Sequence, residues 1–413
     1  MGLSCFKGKA DREPQEIKQV AETAICCDDG VREVKEPGTL QEGGRKSTEM
    51  TLTIGKIGDT KRERWSRENR LGCSLEGVRN EGNTCFAGAA SMALLASSTF
   101  VEALKGRKEG ESSAVSSALL ALETDKSQVA GFLSYFQEFN DGLQHCAHDF
   151  LTHIFMQLGG KSNLKPGSLR DTELLKYCRS NRNSDVFDIY AVVTQTKLSC
   201  VSCVLEGIGE PIVKGTMMWS TSVPMRRTAG GERRSWCAAS KCVTDKAAYW
   251  QLLKQLYESK DSDSCTEDFS LLSSLRLVLG VSLLPPSCPY FCPKCQVDTQ
   301  HFRQQEIVHA GSQLILHLQR YDSASHNKDF SLLKIPISLD LSQFNESLGK
   351  YALYAVICHT GWLGGGHYWV NLRSRGRWHK YDDHEHTFIS EKQALNETAY
   401  VLFYRQIARK PSN

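Results

Sequence analysis

Two short stretches far apart in the chain hold the residue types of a nucleophilic thiol site. Residues 78–86 read VRNEGNTCF and residues 366–383 read GHYWVNLRSRGRWHKYDD. Cys85 follows a Gly82-Asn83-Thr84 turn and opens a helix-like stretch, FAGAASMALLASSTFVEAL. A helix N-terminal dipole and a neighbouring imidazolium both favour thiolate over thiol there. His367 and Asp382 lie on two alternating segments flanking Ser374-Arg375-Gly376, so an antiparallel hairpin centred on that turn sets them opposite each other. A nucleophile, a base and an orienting carboxylate are then all available. His359 and His379 compete for the base role. His359, just before a Gly361 turn, reads as structural, and strand alternation turns His379 to the hairpin face opposite Asp382. Glycines 364–366, directly before His367, predict a loop that moves as a substrate enters.

A second constellation is made of sulfur. Cys200 and Cys203 stand in LSCVSC, and Cys292 and Cys295 in YFCPKC. Two Cys-x2-Cys knuckles, each at a strand end, can supply four thiolates to one structural zinc ion with no position left open for substrate. The competing reading is two unrelated pairs of free cysteines. Cys237 and Cys242 are a weaker substitute for one knuckle, and neither knuckle sits in the strand-to-helix turn of a thioredoxin-like motif.

The elements that must position these groups fall in two textures. Residues 86–104, 114–123 and 146–158 carry helical spacing of apolar positions. After about residue 185 come alternating segments: DIYAVVTQTKL, EIVHAGSQLILHLQRYD, YALYAVICHTG, GHYWVNL, RWHKYDD and TAYVLFYRQ. Helices first and strands later predict an α+β domain with the nucleophile on the helical part and the base on the sheet. Residues 221–246, which are rich in Gly, Ser and Arg, predict a mobile insertion. No internal repeat is visible.

Residues 1–70 lack sustained periodicity and predict a disordered tail, with the globular part over 71–413. Gly2 and Cys5 in MGLSCFKGK are lipidation candidates, although the myristoylation pattern wants Ser or Thr where Phe6 stands. Membrane contact is expected only if that N-terminus is lipidated. A net charge of +3 over 413 residues is too balanced to call for nucleic acid. The first thirty residues show no secretory pattern, and no apolar run approaches the ~20 residues of a membrane span. The 16 cysteines are therefore expected to be reduced, metal-bound or catalytic in a cytoplasmic chain, with the nucleus also open.

With both boxes and both knuckles in view, residues 71–408 resemble the ubiquitin-specific protease family of deubiquitinases. VRNEGNTCF resembles its cysteine box, LQHCAHDFL at 143–151 its glutamine-rich helix, GHY with WHKYDD its histidine box; ILHLQRYD and TAYVLFY also fit. The resemblance implies a papain-like fold with a helical thumb, a β-rich palm and zinc-bearing β fingers. It implies hydrolysis of the bond after the C-terminal Gly-Gly of ubiquitin or a ubiquitin-like modifier. Carried over by position, Cys85 is the nucleophile, His367 the base, Asp382 the third triad member and Asn80 the oxyanion donor, with Asp383 assisting through water. Gln144, Asp149, Gly366 and Tyr368 fall where the family contacts its substrate. The pattern departs at Cys146, where the family has Asp, and at Gly88, Ala89 and Met92 after the nucleophile. Glu397-Thr398-Ala399-Tyr400 and SLDLSQF resemble the interferon-induced member, which prefers a modifier with a tandem ubiquitin fold. Two rival readings are a catalytically silent ubiquitin-binding scaffold and a zinc-ribbon interaction module.

Overall fold

The computed structural model describes residues 76–107, 111–159, 184–225, 235–259, 269–321, 327–362, 365–396 and 398–408. The expected tail over 1–70, with Gly2 and Cys5, lies outside them. The helical part comes first, as α1 (Cys85–Leu95), α2 (Ser98–Lys105), α3 (Glu111–Thr124), α4 (Val129–Leu133), α5 (Ala147–Gly159) and α6 (Ser184–Tyr190). The apolar run over 86–104 predicts one helix and forms two, bent by 92°. Ser97 leaves the helical conformation and its side chain accepts from the Phe100 N–H at 3.2 Å, which starts a new helix in mid-run. Every residue of α1 is buried, so its sequence has no polar face. On α5 the apolar residues Phe150, Leu151, Ile154, Phe155 and Leu158 share one inward face. Among the described residues no single helix is long and apolar enough to cross a membrane.

The second part begins with β1 (Val192–Cys200), α7 (Val201–Glu206), β2 (Ile212–Met218), β3 (Thr221–Pro224), β4 (Ser235–Trp236), α8 (Lys246–Glu258) and α9 (Leu271–Leu279). It continues through β5 (Val281–Leu283), β6 (Tyr290–Cys292), β7 (Val297–Thr299), β8 (His301–Ala310), β9 (Gln313–Gln319) and β10 (Ser338–Asp340). Last come β11 (Lys350–Trp362), β12 (Gly365–Ser374), β13 (Arg377–Asp382), β14 (Glu385–Ile389), α10 (Glu391–Ala394) and β15 (Ala399–Ala408). A central sheet runs β14-β13-β12-β11-β15-β9-β3 with β10 on β11; a second runs β2-β1-β8-β5-β4; β6 and β7 form a small hairpin. α1 lies between them and the helices, against β12 on one side and α5 on the other. The helix that begins at Cys85 and the strand that carries His367 therefore share one core, which holds Phe86, Ala90 and Leu94 together with Tyr368, Val370 and Leu372.

Three sequence expectations are corrected. DIYAVVTQTKL is not one strand: Asp188–Tyr190 end α6, and β1 starts at Val192. EIVHAGSQLILHLQRYD is two strands in different sheets. It breaks at Gly311, where a Cβ would come within 2.3 Å of the Ile189 carbonyl oxygen. Of the stretch expected as an insertion over 221–246, residues 226–234 lie outside the described residues, while both ends are built into sheets. β3 pairs with β9 in parallel, burying Val223, and β4 pairs with β5, burying Trp236 at 2% exposure. Polar composition hid these strands because each is short and its apolar anchor is a single residue.

Candidate active site

The loop before Cys85 is a set of nested turns. The Asn80 Oδ1 accepts from the Thr84 N–H at 2.9 Å, and the Thr84 Oγ1 accepts from the Glu81 N–H at 2.9 Å. Gly82 (φ 79°) and Asn83 (φ 58°) are both left-handed, a conformation that glycine and asparagine adopt at least cost. Asn83 donates onward to the Gly142 carbonyl at 2.9 Å. This loop delivers Cys85 as the first residue of α1, at the end where the helix leaves its N–H groups unpaired and its dipole is positive.

His367 and Asp382 come from the β12–β13 hairpin, whose two-residue turn is Arg375 (φ 49°) and Gly376 (φ 78°). The sequence places them directly opposite each other, and the register corrects this. The ladder pairs Val370 with Tyr381 and ends there, so Asp382 lies level with Trp369 and reaches His367 diagonally on the same face. The imidazole Nε2 and the Asp382 Oδ1 are 2.5 Å apart, which leaves Nδ1 as the ring nitrogen that can serve the Cys85 thiol. The ring's hydrogen bond to the Asp382 carboxylate, and then the neighbouring Cys85, raise the His367 pKa to about 10. Its bond to His367 holds Asp382 down at about 2, aided by Lys380. Lys380 Nζ sits 2.6 Å from Asp382 Oδ2 and 4.8 Å from the Trp369 ring centroid. Sequence reasoning missed Lys380, although its two-residue offset from Asp382 puts both on one strand face.

Asp383 breaks the strand at φ 52° and turns the other way. Its Oδ2 accepts from Asn80 Nδ2 at 3.2 Å, so its link to the site is direct and needs no bridging water. The same turn is wedged by Gly77, where a Cβ would lie 1.9 Å from the Asp383 carbonyl oxygen. Burial raises the Asp383 pKa. A primary amide has two N–H bonds; with Oδ1 on Thr84 and one N–H on Asp383, Asn80 is fixed in orientation with the second N–H to spare. A cleft of about 520 Å³ lined by Arg79, Asn80, Gly82, Asn83, Asp383 and His384 opens beside it.

The other named residues divide. Gln144 and Gly366 are bonded to each other, carboxamide to backbone, on both the N–H and the C=O of Gly366. Asp149, in the first turn of α5, keeps a side chain 44% exposed. Tyr368 is buried instead, packed against His359 and Tyr400, so its ring supports the site from behind and presents no face to a substrate. His359 lies inside β11 rather than before a turn, because Gly361 (φ 109°) pairs with Gly366 within the ladder. Tyr321 and Lys328 both reach its Nδ1 at 2.9 Å, and burial with Lys328 pushes its pKa down to about 3. His379 bonds His386 at 2.9 Å on the other hairpin face. Of the glycines expected to form a mobile loop, Gly365 and Gly366 are β12 residues paired to β11, and Gly364 lies outside the described residues.

Cys200 ends β1, Cys203 lies in α7, Cys292 ends β6 and Cys295 sits in the turn before β7. The four sulfurs all lie within 4.8 Å of one another. Cys200 and Cys295 are 3.8 Å apart, Cys203 and Cys292 3.6 Å, Cys203 and Cys295 3.5 Å. Thr299 Oγ1 donates to Cys200 and the Cys295 N–H to Cys292. Such a cluster could hold one metal ion. Cys242 is elsewhere, with its backbone N–H bonded to Phe344.

The sequence pattern of the family described as Ubiquitin carboxyl-terminal hydrolase matches residues 76–404. The chain belongs to that hydrolase family. Among curated relatives, Ubiquitin carboxyl-terminal hydrolase 9 of Arabidopsis thaliana is 32% identical over 172 residues, 39% of this chain and 19% of that protein. Ubiquitin carboxyl-terminal hydrolase 15 of Rattus norvegicus is 35% identical over 127 residues, 29% of this chain and 13% of that protein. The matches thus span less than a fifth of these relatives' length. Among solved structures, the SAGA DUB module Ubp8/Sgf11/Sus1/Sgf73 bound to monoubiquitin aligns with TM-score 0.58 at 17% identity, covering 85% of this chain and 75% of that one. The same module bound to ubiquitin aldehyde aligns with TM-score 0.57. These likenesses carry the fold, an α+β papain-like arrangement of helices over a sheet.

Within this hydrolase fold the departures have physical consequences. Cys146 packs its Sγ 3.1 Å from the Tyr400 hydroxyl, and burial pushes its pKa up to about 12. It is a neutral, partly buried group packed against the core. Gly88, Ala89 and Met92 line the same wall as Cys85, facing Tyr368 and Val370. A Cβ at Gly88 would press on Val78 at 3.3 Å, so the small residue there lets the strand-like segment before the nucleophile lie close to α1.

Proposed function

We propose that this chain is a thiol-dependent deubiquitinase hydrolysing the isopeptide bond after the C-terminal Gly-Gly of ubiquitin or a ubiquitin-like modifier. The observation that carries this reading is the bonded His367–Asp382 pair, with the carboxylate held ionised and the imidazole held protonated against it, beside Cys85 at the start of α1. The Cys85 thiolate attacks the terminal glycine carbonyl carbon, and the charge that develops on oxygen meets the free N–H of Asn80 and the Cys85 backbone N–H. His367 gives its proton to the departing lysine amine as the C–N bond breaks. It then takes a proton from water, which attacks the thioester, expels the thiolate and leaves a free carboxylate. Asp382 holds the ring through Nε2 throughout. The cleft lined by Arg79 and His384 gives the acceptor lysine room to leave. Asp149 is the remaining carboxylate on α5 for an arginine of the modifier tail, a charge-assisted contact of about 1.5–3 kcal/mol.

The four cysteines fit a structural zinc. A tetrahedron with Zn–S near 2.3 Å needs sulfurs about 3.8 Å apart, close to three of the separations here, 3.5–3.8 Å, with all four sulfurs within 4.8 Å. Bound there, the ion would tie the end of β1 to the β6–β7 hairpin; it supplies no catalytic step. The deciding experiment mixes the full chain with C-terminal electrophilic probes of ubiquitin and of a modifier with a tandem ubiquitin fold. A covalent adduct on Cys85 supports the reading, and the faster probe names the modifier. No adduct from folded, zinc-loaded protein overturns it in favour of a binding scaffold.

A further inference from the structure

We infer that Gln144 is a positioning residue whose carboxamide clasps Gly366 and thereby sets the distance between His367 and Cys85 in the empty enzyme. Gly366 immediately precedes His367 and has no side chain with which to be held. On one side it pairs with Gly361 of β11. On the other, the β12–β13 ladder starts only at Val370↔Tyr381, so the outer edge of β12 before the base has no strand partner among the described residues. Gln144 occupies that edge. Its Nε2 donates to the Gly366 carbonyl and its Oε1 accepts from the Gly366 N–H, the same two-bond pairing that a neighbouring strand would make. Only glycine fits at this point of the edge, because a Cβ there would lie 2.1 Å from the Thr360 carbonyl oxygen and 2.4 Å from His359 Nε2.

The other end of the clasp is referenced to the nucleophile. Asp141 Oδ1 accepts from the Leu143 N–H at 2.9 Å and pairs with His145 Nε2 at 2.7 Å, closing the turn that carries Gln144. Asn83, two residues before Cys85, donates to Gly142 in that turn at 2.9 Å. The His145 ring stacks edge-on against Phe86, the residue after Cys85, at 5.3 Å. A turn fastened to both flanks of Cys85 thus grips the residue beside His367. The inference rests on the Cys85–His367 chemistry proposed above and assigns Gln144 a role that exists before any substrate arrives.

The test compares Gln144→Ala and Gln144→Glu with the parent full-length protein. Steady-state hydrolysis of a fluorogenic ubiquitin C-terminal amide is measured beside the rate at which iodoacetamide alkylates Cys85 in the empty enzyme. For Gln144→Ala, kcat falls about ten- to hundredfold with KM little changed, and alkylation slows in parallel. Gln144→Glu is isosteric, but its carboxylate cannot donate to the Gly366 carbonyl; protonated, it can donate and accept as glutamine does. Its kcat relative to the parent, measured at each pH, therefore climbs as pH falls from 8 toward 5.5. A raised KM with unchanged kcat and unchanged alkylation overturns the inference and leaves Gln144 a substrate contact. Parent protein that alkylates rapidly at Cys85 yet cleaves no ubiquitin amide overturns the proposed substrate instead; the alkylation rates of the variants then still decide the clasp.

Discussion

At the residue scale the site depends on two carboxylates with separate tasks. Asp382 faces His367, and Asp383 faces Asn80. Asp382→Asn removes the largest support of the imidazolium, so the His367 pKa falls and the alkaline limb of the kcat/KM profile moves to lower pH, with kcat reduced about 10²-fold. A profile whose alkaline limb stays in place would contradict that pairing. The same shifts set stability. His367, raised from 6.5 to about 10, contributes fully below pH 6.5 and loses its contribution as pH rises through about 10. Asp382, lowered from 3.8 to about 2, contributes fully above 3.8 and loses it as pH falls through about 2. The pair therefore stabilises most between those ordinary values. Asn80→Ala should lower kcat by about 10²–10³ while leaving the affinity of the modifier unchanged, as single-turnover kinetics with binding titration would establish. Cys85, His367 and Asp382 were legible as candidates because each sits in a short segment with its own turn chemistry, whereas Asn80 was named only through the resemblance to the family. The diagonal register, Lys380 and the Asn80–Asp383 bond were not, because they depend on where a ladder ends.

At the element scale, the β6–β7 hairpin depends on the cysteine cluster. Among the described residues β6 and β7 pair only with each other, and a two-stranded hairpin is marginal by itself. Its attachment to β1 and α7 runs through the four sulfurs, which form a small buried cluster of their own. Cys200→Ser should therefore release zinc, seen by metal analysis, and lower the unfolding temperature by several degrees, at about 2 °C per kcal/mol in a domain of this size. Unchanged metal content would show that the sulfurs are merely neighbours. The paired knuckles were readable from spacing alone. The strands at 221–224 and 235–236 were not, because in so short a strand the buried Val223 or Trp236 gives no period to detect.

At the scale of the whole molecule, the helical and sheet parts converge on one core beneath the site. Residues 76–404 carry the family pattern, so protein lacking residues 1–70 is expected to react with the ubiquitin probe at the parental rate. A loss of reaction on truncation would assign the tail a part in catalysis or folding. Sequence by itself determined the chemistry available: a thiol at a helix start, an imidazole and carboxylates on a hairpin, and four sulfurs in two knuckles, all local patterns of turn, cap and spacing. Tertiary structure alone decided which groups meet. Asp383 turns to Asn80, Tyr368 goes into the core with Cys146 packed against it, and Gln144 reaches Gly366, more than two hundred residues away in sequence. Those pairings follow from strand register and from the packing of α1 between α5 and β12, long-range relations that no local segment encodes.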